Sequence, residues 1–191
     1  MKYLSLNRFR TLTIITSFII FIPVISLAQA PSPRKAIRKL GPNPIIIIDS
    51  VRLKPGEISS YDPKKIATAT ILTDSTDIAK YGEDAKDGVA IFETKSFAKK
   101  HYLSYFRRKS SSFDSLYTIS KSDSSFLYVI NDKIKYDDPG DLATINDNLF
   151  LSLEIITADE LKRRYQITDK QYGIIIKSKI PSNLYNADKK F

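Results

Sequence analysis

An internal repeat is the feature of this sequence that most limits how the chain can fold. Apolar runs, a polar stretch, a helix-like segment and a last apolar run follow one another in residues 44–96 and again in residues 126–180. Asp49, Tyr81 and Gly88 of the first stretch have counterparts in Asn131, Tyr165 and Gly173 of the second, at nearly the same offset along the chain. An offset this constant over about forty residues indicates a duplication with short loop insertions. We therefore expect two copies of one supersecondary unit.

The first copy predicts the order strand, loop, strand, helix, strand. PIIIIDS, which ends just after Asp49, is a β-branched run typical of a strand buried on both faces. It either forms a hairpin with the VRL that follows or continues into it as one bent strand. ATATIL and VAIFETK are further strands around the short helix TDSTDIAKY. We expect Gly82, after Tyr81, to end that helix in the left-handed conformation, and Asp87-Gly88 to form the turn into the last strand.

The second copy repeats this order in a degenerate form. FLYVINDK, LSLEIIT and GIIIKSK predict strands, and TADELKRRY predicts a helix because Thr157 and Glu160 have the spacing of a capping box. Gln166 takes the place of Gly82, and Asn131 that of Asp49. The predicted fold is α+β: two β-β-α-β repeats forming small mixed sheets with short helices on one face. A unit of about 50 residues buries little core, and edges shared between the two sheets would offset this.

Residues 97–125 lie between the copies and predict a basic aromatic linker. From Phe97 to Lys109 the apolar residues have nearly helical spacing, as in an amphipathic helix whose aromatic side chains pack on a sheet while its cations face water. The alternative is a site for an acidic partner, such as lipid, lipopolysaccharide or an acidic protein patch. Further along, LYTI predicts an extra strand beside FLYVIN. The candidate partner-binding cations are Lys99, Lys100, Arg107, Arg108 and Lys109.

Residues 1–30 have the features of a signal peptide. A positive region and an apolar run precede Ala28-Gln29-Ala30, which matches a signal-peptidase site and favours removal over a membrane anchor. Residues 31–43 then predict an exposed basic, proline-rich leader, and residues 181–191 an irregular tail. The chain has no cysteine, so we expect neither disulfides nor a lipoprotein anchor. These features predict export to the periplasm or to the outer-membrane periphery.

The charge of the chain adds one exclusion. Its formal net charge of +9 falls to +6 once the three cations before the apolar run are removed with the signal peptide. The remaining charges of both signs are interspersed, whereas a nucleic-acid-binding protein concentrates its cations on one face. The expected compartment also lacks nucleic acid. We therefore expect no nucleic-acid partner.

No pattern in the sequence predicts catalysis, a metal or a cofactor. His101 is the sole histidine, and neither a nucleophile elbow nor a phosphate-binding loop is present. The acidic stretch DDPGDLATIND lacks the spacing of an EF-hand and is better explained by turns and helix caps. We expect no catalytic residue, no metal ligand and no cofactor, and therefore no enzyme.

The motifs of the first copy resemble the plug domain of TonB-dependent outer-membrane receptors, of the Bacteroidetes kind. The resemblance covers residues 44–95 and rests on IIIIDS, TILTD, DIAKYGEDAKDGV and IFETK. The second copy is similar only in part, through LYVIND, LEIIT, ELKRRYQ and YGIIIKSK. The receptor barrel needs about 22 strands, so we expect free-standing, duplicated plug-like modules without that barrel.

This resemblance implies a recognition or scaffolding module rather than an enzyme. The expected partner is an envelope protein, such as an outer-membrane receptor, a TonB-system protein or a membrane sensor peptidase, bound through an exposed sheet edge. The alternative is a surface or structural protein that contacts lipid or glycan peripherally through the cations of residues 97–109. Within the resemblance, the motif residues are Asp49, Tyr81, Gly82, Asp87, Gly88, Tyr165 and Gly173.

Overall fold

The computed structural model of this chain describes residues 33–54, 56–136 and 139–179. The predicted signal peptide, the first two residues of the leader and the predicted tail lie outside the described residues, as do Asp137 and Asp138. The helices are α1 (Pro33–Ile37), α2 (Ser75–Ile78), α3 (Lys95–Lys109), α4 (Ser111–Ser120), α5 (Pro139–Ala143) and α6 (Ala158–Tyr165). The strands are β1 (Ile45–Ile48), β2 (Val51–Arg52), β3 (Ile66–Leu72), β4 (Val89–Thr94), β5 (Phe126–Ile130), β6 (Lys133–Lys135), β7 (Phe150–Thr157) and β8 (Tyr172–Ser178).

The strands form two four-stranded mixed sheets with the same topology. The first has the order β2-β1-β4-β3 and the second β6-β5-β8-β7. In each sheet the two central strands are parallel, and each edge strand is antiparallel to its neighbour. The register slips between Ile66 and Thr68 in β3 and between Phe150 and Ser152 in β7, at equivalent points of the repeat. The prediction of an α+β fold with two β-β-α-β units is confirmed.

The predicted cover of the sheets is wrong in one respect, because each sheet carries helical structure on both faces. On one face of the first sheet, Ile78 and Tyr81 pack against Ile45 and Val89. The equivalent face of the second sheet carries α6, whose Leu161 is fully buried against the strands. The strands carry apolar side chains on both faces of each sheet. A cover on one face only would leave the apolar side chains of the other face exposed to water.

The opposite faces have covers of different size. On the first sheet, Ala36 and Leu40, in and just after α1, pack together with the loop that contains Ile58. On the second sheet, α3, α4 and α5 together bury a layer of aromatic rings. That layer contains Tyr102, Tyr105, Phe106, Phe113, Phe126, Tyr128 and Phe150.

The predicted structure of two segments is therefore corrected. Residues 97–125 are not a linker but the helices that complete the core of the second sheet, and LYTI lies within α4 rather than in a strand. Ser110 caps α4 through a hydrogen bond from the Phe113 N–H, so the serines join two helices instead of ending one. Residues 33–43 are not an exposed leader, because Ala36 is buried against the first sheet.

The two sheets do not share an edge, in contrast to the arrangement considered from the sequence. A small buried cluster of Ala67 in β3, Ala98 in α3 and Ala143 in α5 lies where the two units meet. Alanines allow close approach of the backbones, and α3 follows β4 without an intervening loop. The contact between the units thus consists of helix against edge strand.

Candidate functional site

Asp49 and its counterpart Asn131 lie in two-residue hairpin turns. Asp49 and Ser50 have φ of +49° and +70°, and Asn131 and Asp132 have φ of +47° and +66°. Two consecutive residues in the left-handed region form the turn that suits the twist of an antiparallel pair, and Asn and Asp tolerate this conformation best. The hairpin between β1 and β2 settles the alternative that the sequence left open.

The side chains of these two residues also join the parallel strands. The carboxylate of Asp49 accepts hydrogen bonds from the backbone N–H and the hydroxyl of Thr94, each at 2.7 Å. Asn131 accepts from the Ser178 N–H at 3.0 Å and donates to the Ser178 carbonyl at 2.9 Å. Asp49 and Asn131 therefore have a structural function at equivalent points of the two sheets.

Tyr81 and Tyr165 are half-buried at the ends of the equivalent helical segments, each against the strands of its own sheet. Gly82 has φ +83° and ψ −177°, and Gln166 has φ +60° and ψ +28°. The expectation for Gly82 is corrected here, because its ψ lies outside the left-handed helical region, in a conformation open almost only to glycine. Gln166 has the left-handed cap conformation, which a residue with a side chain can adopt.

Asp87 and Gly88 attach the segment that follows α1 to the first sheet. The carboxylate of Asp87 accepts from the Asn43 N–H at 3.0 Å, and its carbonyl accepts from the Gly41 N–H at 2.9 Å. Gly88 has φ +90°, and a Cβ at this position would lie 2.6 Å from Leu40 Cδ2.

The predicted equivalence of Gly88 and Gly173 is wrong by one residue. Gly173 pairs with Ile156 within the second sheet, and the matching pair in the first sheet is Val89 with Leu72. Gly173 is needed for close packing, since a Cβ there would lie 2.6 Å from Ile156 Cγ1 and 2.7 Å from Leu161 Cδ2. Glycine is therefore required for different reasons in the two copies: by backbone conformation at Gly88 and by close packing at Gly173.

Most of the candidate partner-binding cations of α3 are engaged within the protein. Lys99 pairs with the buried Asp123 at 2.6 Å, Arg107 with Asp114 at 2.5 Å and Lys109 with Asp147 at 2.9 Å. Arg108 donates to the Ser104 hydroxyl at 3.0 Å and lies over the ring of Tyr105. Lys100 alone among these five has no hydrogen bond or ion pair to a described residue. Carboxylates therefore neutralise three of the five predicted cations, and the charges of Lys100 and Arg108 are not paired with a carboxylate.

Two shallow grooves flank Lys100 and Ser104. The larger, of about 470 Å³, runs between α3 and α4 and includes Arg107, Asp114 and Tyr117 in its walls. The smaller, of about 400 Å³, includes Glu93 and His101, whose Nδ1 lies 3.1 Å from Glu93 Oε1. Both grooves mix cations and carboxylates, so neither presents charge of a single sign to a ligand.

A buried carboxylate ties α3 to the second sheet. Asp123 is 7% exposed, and it accepts a hydrogen bond from the Tyr102 hydroxyl at 2.8 Å and a longer one from the Tyr128 hydroxyl at 3.4 Å. Burial, followed by the interaction with Asp123, raises the pKa of Tyr102 well above its ordinary value. Both tyrosines thus keep their protons and donate to a carboxylate that Lys99 also neutralises.

β7 is the longest edge strand of the two sheets. The Asn131 N–H donates to the Ile176 carbonyl, so the peptide groups of Ile176 face β5 and those of Ile175 face β7. Glu154 lies opposite Ile175 and therefore faces β8. Because peptide groups alternate along a strand, those of Leu153 and Ile155 point away from the sheet. Across the described residues, β7 forms strand pairs with β8 only.

The equivalent strand of the first sheet is less open. β3 packs against α1, α3 and α5, whereas β7 packs chiefly against β8 and α6. Leu151, at the register slip of β7, is 56% exposed. Unpaired edges of this length are a template for another strand, and most proteins shield them with lysine, proline or a covering helix.

The sequence analysis did not single out β7 as a site, although one signal was available. Residues 147–161 form a stretch without lysine or arginine, in a chain that has 30 such residues. Its four acids are Asp147, Glu154, Asp159 and Glu160.

A comparison of the chain with protein-family models, curated proteins and solved structures gives no match. The resemblance to a plug domain therefore stays a prediction from sequence motifs. Within residues 33–54, 56–136 and 139–179, no helix is both long and apolar enough to cross a membrane, and no three acidic or histidine side chains come together to hold a metal ion. Of the acids weighed as calcium ligands, Asp141 pairs with Lys135 and Asp147 with Lys109.

Proposed function

We propose that this protein is a non-enzymatic module of the cell envelope that binds a protein partner along the outer edge of β7. An extended segment of the partner adds a fifth strand to the second sheet, and its backbone hydrogen bonds provide affinity. The observation that carries this proposal is an eight-residue edge strand whose outward peptide groups at Leu153 and Ile155 meet no described strand.

The class of partner follows from the sequence rather than from the fold. The predicted signal peptide and the resemblance to plug domains favour an envelope protein: an outer-membrane receptor, a TonB-system protein or a membrane sensor peptidase. The experiment below recovers the partner and locates its binding surface together.

The test uses a proline that removes one outward N–H. Leu153→Pro deletes the donor that an added strand needs but no bond to β8, because edge strands tolerate proline where the N–H faces solvent. Leu153→Ala is the matched control, since it loses the same packing and keeps the N–H. Ala69→Pro, at the equivalent position of β3 in the first copy, controls for proline itself.

Each full-length variant, tagged and produced in the native bacterium, is cross-linked and purified with its partners. We expect Leu153→Pro to lose an enriched envelope protein that Leu153→Ala and Ala69→Pro retain. Equal recovery of that protein by all variants would refute binding at β7. Circular dichroism of each variant verifies that the sheets are intact.

The second candidate function is contact with lipid or glycan through α3. It is favoured by Lys100, which has no described partner and lies between the two grooves. Deletion of residues 97–125 cannot test it, because α3 and α4 form the core of the second sheet. The suitable variant is Lys100→Gln with Arg108→Gln, compared with the native chain in flotation with anionic liposomes. Equal flotation of both proteins would remove this candidate.

A further inference from the structure

The two faces of β7 differ in chemistry at its outer edge. Glu154 lies opposite Ile175, on the face that α6 covers, and is exposed. Leu153 and Ile155 lie on the other face, where they are half-buried at the rim of the aromatic layer. A strand added beside β7 would continue both faces, and its side chains would pair with these residues across the strands.

Two exposed acidic side chains lie at this edge or next to it. The side chains of Glu154 in β7 and Asp159 in α6 form no hydrogen bond or ion pair within the described part of the chain. Asp147 and Glu160, by contrast, pair with Lys109 and Arg163. Opposite charges directly across two strands are stabilising, while like charges are not.

A second copy of this chain is a poor occupant of the edge. Antiparallel pairing of β7 with its own copy, centred on Glu154, would place the two Glu154 carboxylates opposite each other. A shift by two residues in one direction would pair Ile155 with Leu151, where the register slip interrupts regular hydrogen bonding. A shift in the other direction would pair Leu153 with Thr157, whose N–H already donates to the Glu160 carboxylate. The strand therefore favours a different segment over itself.

From these observations we infer that the partner segment alternates basic and apolar residues. Its lysines or arginines lie across from Glu154 on the face of α6, and its apolar residues extend the core beside Leu153 and Ile155. This inference rests on the proposed function, because it requires strand addition at β7. It adds a sequence preference that strand addition alone does not give.

The test uses three synthetic ten-residue peptides that alternate valine with lysine, with threonine or with glutamate. Fluorescence anisotropy measures their binding to the full-length chain and to Glu154→Gln. Glu83→Gln is the matched control, since Glu83 is an exposed acid near the first sheet, away from β7.

We expect the lysine peptide to bind most tightly and the glutamate peptide least. One cross-strand ion pair contributes about 0.2–1 kcal/mol, so Glu154→Gln should weaken the lysine peptide by about 1.5- to 5-fold. The threonine peptide should bind Glu154→Gln and the native chain with the same affinity. Glu83→Gln should leave the affinities of the lysine and threonine peptides unchanged. Leu153→Pro should abolish binding of all three.

The other outcomes separate the two proposals. Equal binding of the three peptides, lost in Leu153→Pro, would overturn the charge preference and leave strand addition intact. Lysine-peptide binding that survives Leu153→Pro would show a general attraction to acidic surface and would overturn the inference. Absence of peptide binding, alongside a partner captured in a manner sensitive to Leu153→Pro, would also overturn it while the proposed function stands.

Discussion

The two units of this protein have one topology and two different covers. On one face, the short α2 segment of the first sheet and the eight-residue α6 of the second occupy equivalent places. On the other face, α1 and a loop cover the first sheet, and three helices cover the second. The strand order is set locally, by hairpin turns and β-branched strands, so it persists while the cover changes.

The helices that precede β1 and β5 also lie in equivalent positions. α1 precedes the first sheet and α4 precedes the second, and each packs on the same relative face of its sheet. Ile58 and Leu142, at matching points of the two copies, likewise contribute to these equivalent faces. The repeat thus extends beyond the predicted boundaries at residues 44 and 126, and α3 is the long helix without a described counterpart.

The largest effect is expected from Phe106→Ala. Phe106 is fully buried in α3 and contacts the rings of Tyr102, Phe113 and Phe150. Loss of a buried phenylalanine typically costs about 3–5 kcal/mol, whereas Leu40→Ala in the thinner cover of the first sheet should cost less, because Leu40 is half-buried. Urea unfolding measures both changes.

Hydrogen exchange of the same variants tests whether the covers act separately. We expect Phe106→Ala to reduce protection of β5 and β8 more than that of β1 and β4. Equal loss of protection in all four strands would show that the units unfold together, through the junction at Ala67 and Ala98. The two covers would then not stabilise their sheets independently of each other.

The next effect concerns the two glycines that the sequence aligned incorrectly. Gly88→Ala should cost about 1–3 kcal/mol from backbone conformation alone, in addition to its clash with Leu40. Gly173→Ala has a steric cost only, also of about 1–3 kcal/mol.

Double-mutant cycles distinguish the two causes. Leu161→Ala should recover part of the stability of Gly173→Ala, because it removes one of the side chains that the new methyl group meets. Leu40→Ala should recover only the steric part of the cost in Gly88→Ala, and the conformational cost should remain because φ stays at +90°. Full recovery of stability in the Gly88→Ala background would contradict the assignment of Gly88 as a glycine required by its backbone conformation.

Much of the fold was predictable because its determinants are local. The four isoleucines of PIIIIDS, together with ATATIL and LSLEIIT, lie in strands, and the spacing of Thr157 and Glu160 gives the capping box that the structure contains. The amphipathic pattern from Phe97 to Lys109 corresponds to α3. In each case the residues that decide the structure are neighbours in sequence.

The remaining features depend on tertiary contacts that local patterns do not contain. LYTI has strand-forming residues, but its Leu116 and Tyr117 pack on the aromatic layer as part of a helix. The sequence predicted a cluster of unpaired cations in α3 because their acidic partners are not neighbours in sequence. Those partners, Asp114, Asp123 and Asp147, lie in the next helix or further along the chain. The open edge of β7 follows from strand order, which the sequence alone does not fix.

The tyrosines of the aromatic layer predict greater alkaline sensitivity of the second unit. Burial, together with the nearby Asp147, raises the pKa of Tyr105 to about 12, and burial raises the pKa of Tyr102 and Tyr128 as well. A raised pKa in the folded state means that the stabilising contribution is complete below pH 10 and is lost as pH rises through the folded value. The loss is about 1 kcal/mol per pH unit for each such tyrosine.

Tyr105→Phe provides the control for this titration. The Tyr105 hydroxyl is buried without a hydrogen-bond partner of good geometry in the described structure, so its removal costs little at neutral pH. Between pH 10 and 12, the variant should lose less stability than the native chain in urea unfolding. Identical pH profiles would show that ionisation of Tyr105 does not limit the stability of this layer.

The smallest effect separates the two equivalent helices on the shared face. The Thr157 hydroxyl accepts from the Glu160 N–H and the Glu160 carboxylate accepts from the Thr157 N–H, whereas α2 begins without a side-chain cap. Thr157→Ala should therefore cost about 1 kcal/mol, while Thr73→Ala, at the matching position of the first copy, should stay within about 0.5 kcal/mol of the native chain. Chemical unfolding measures both, and a loss at Thr73 as large as that at Thr157 would mean that the first copy also depends on a cap. With the loss confined to Thr157, the longer helix of the second copy owes part of its stability to its own capping residues, and the short segment of the first copy depends on packing against its sheet.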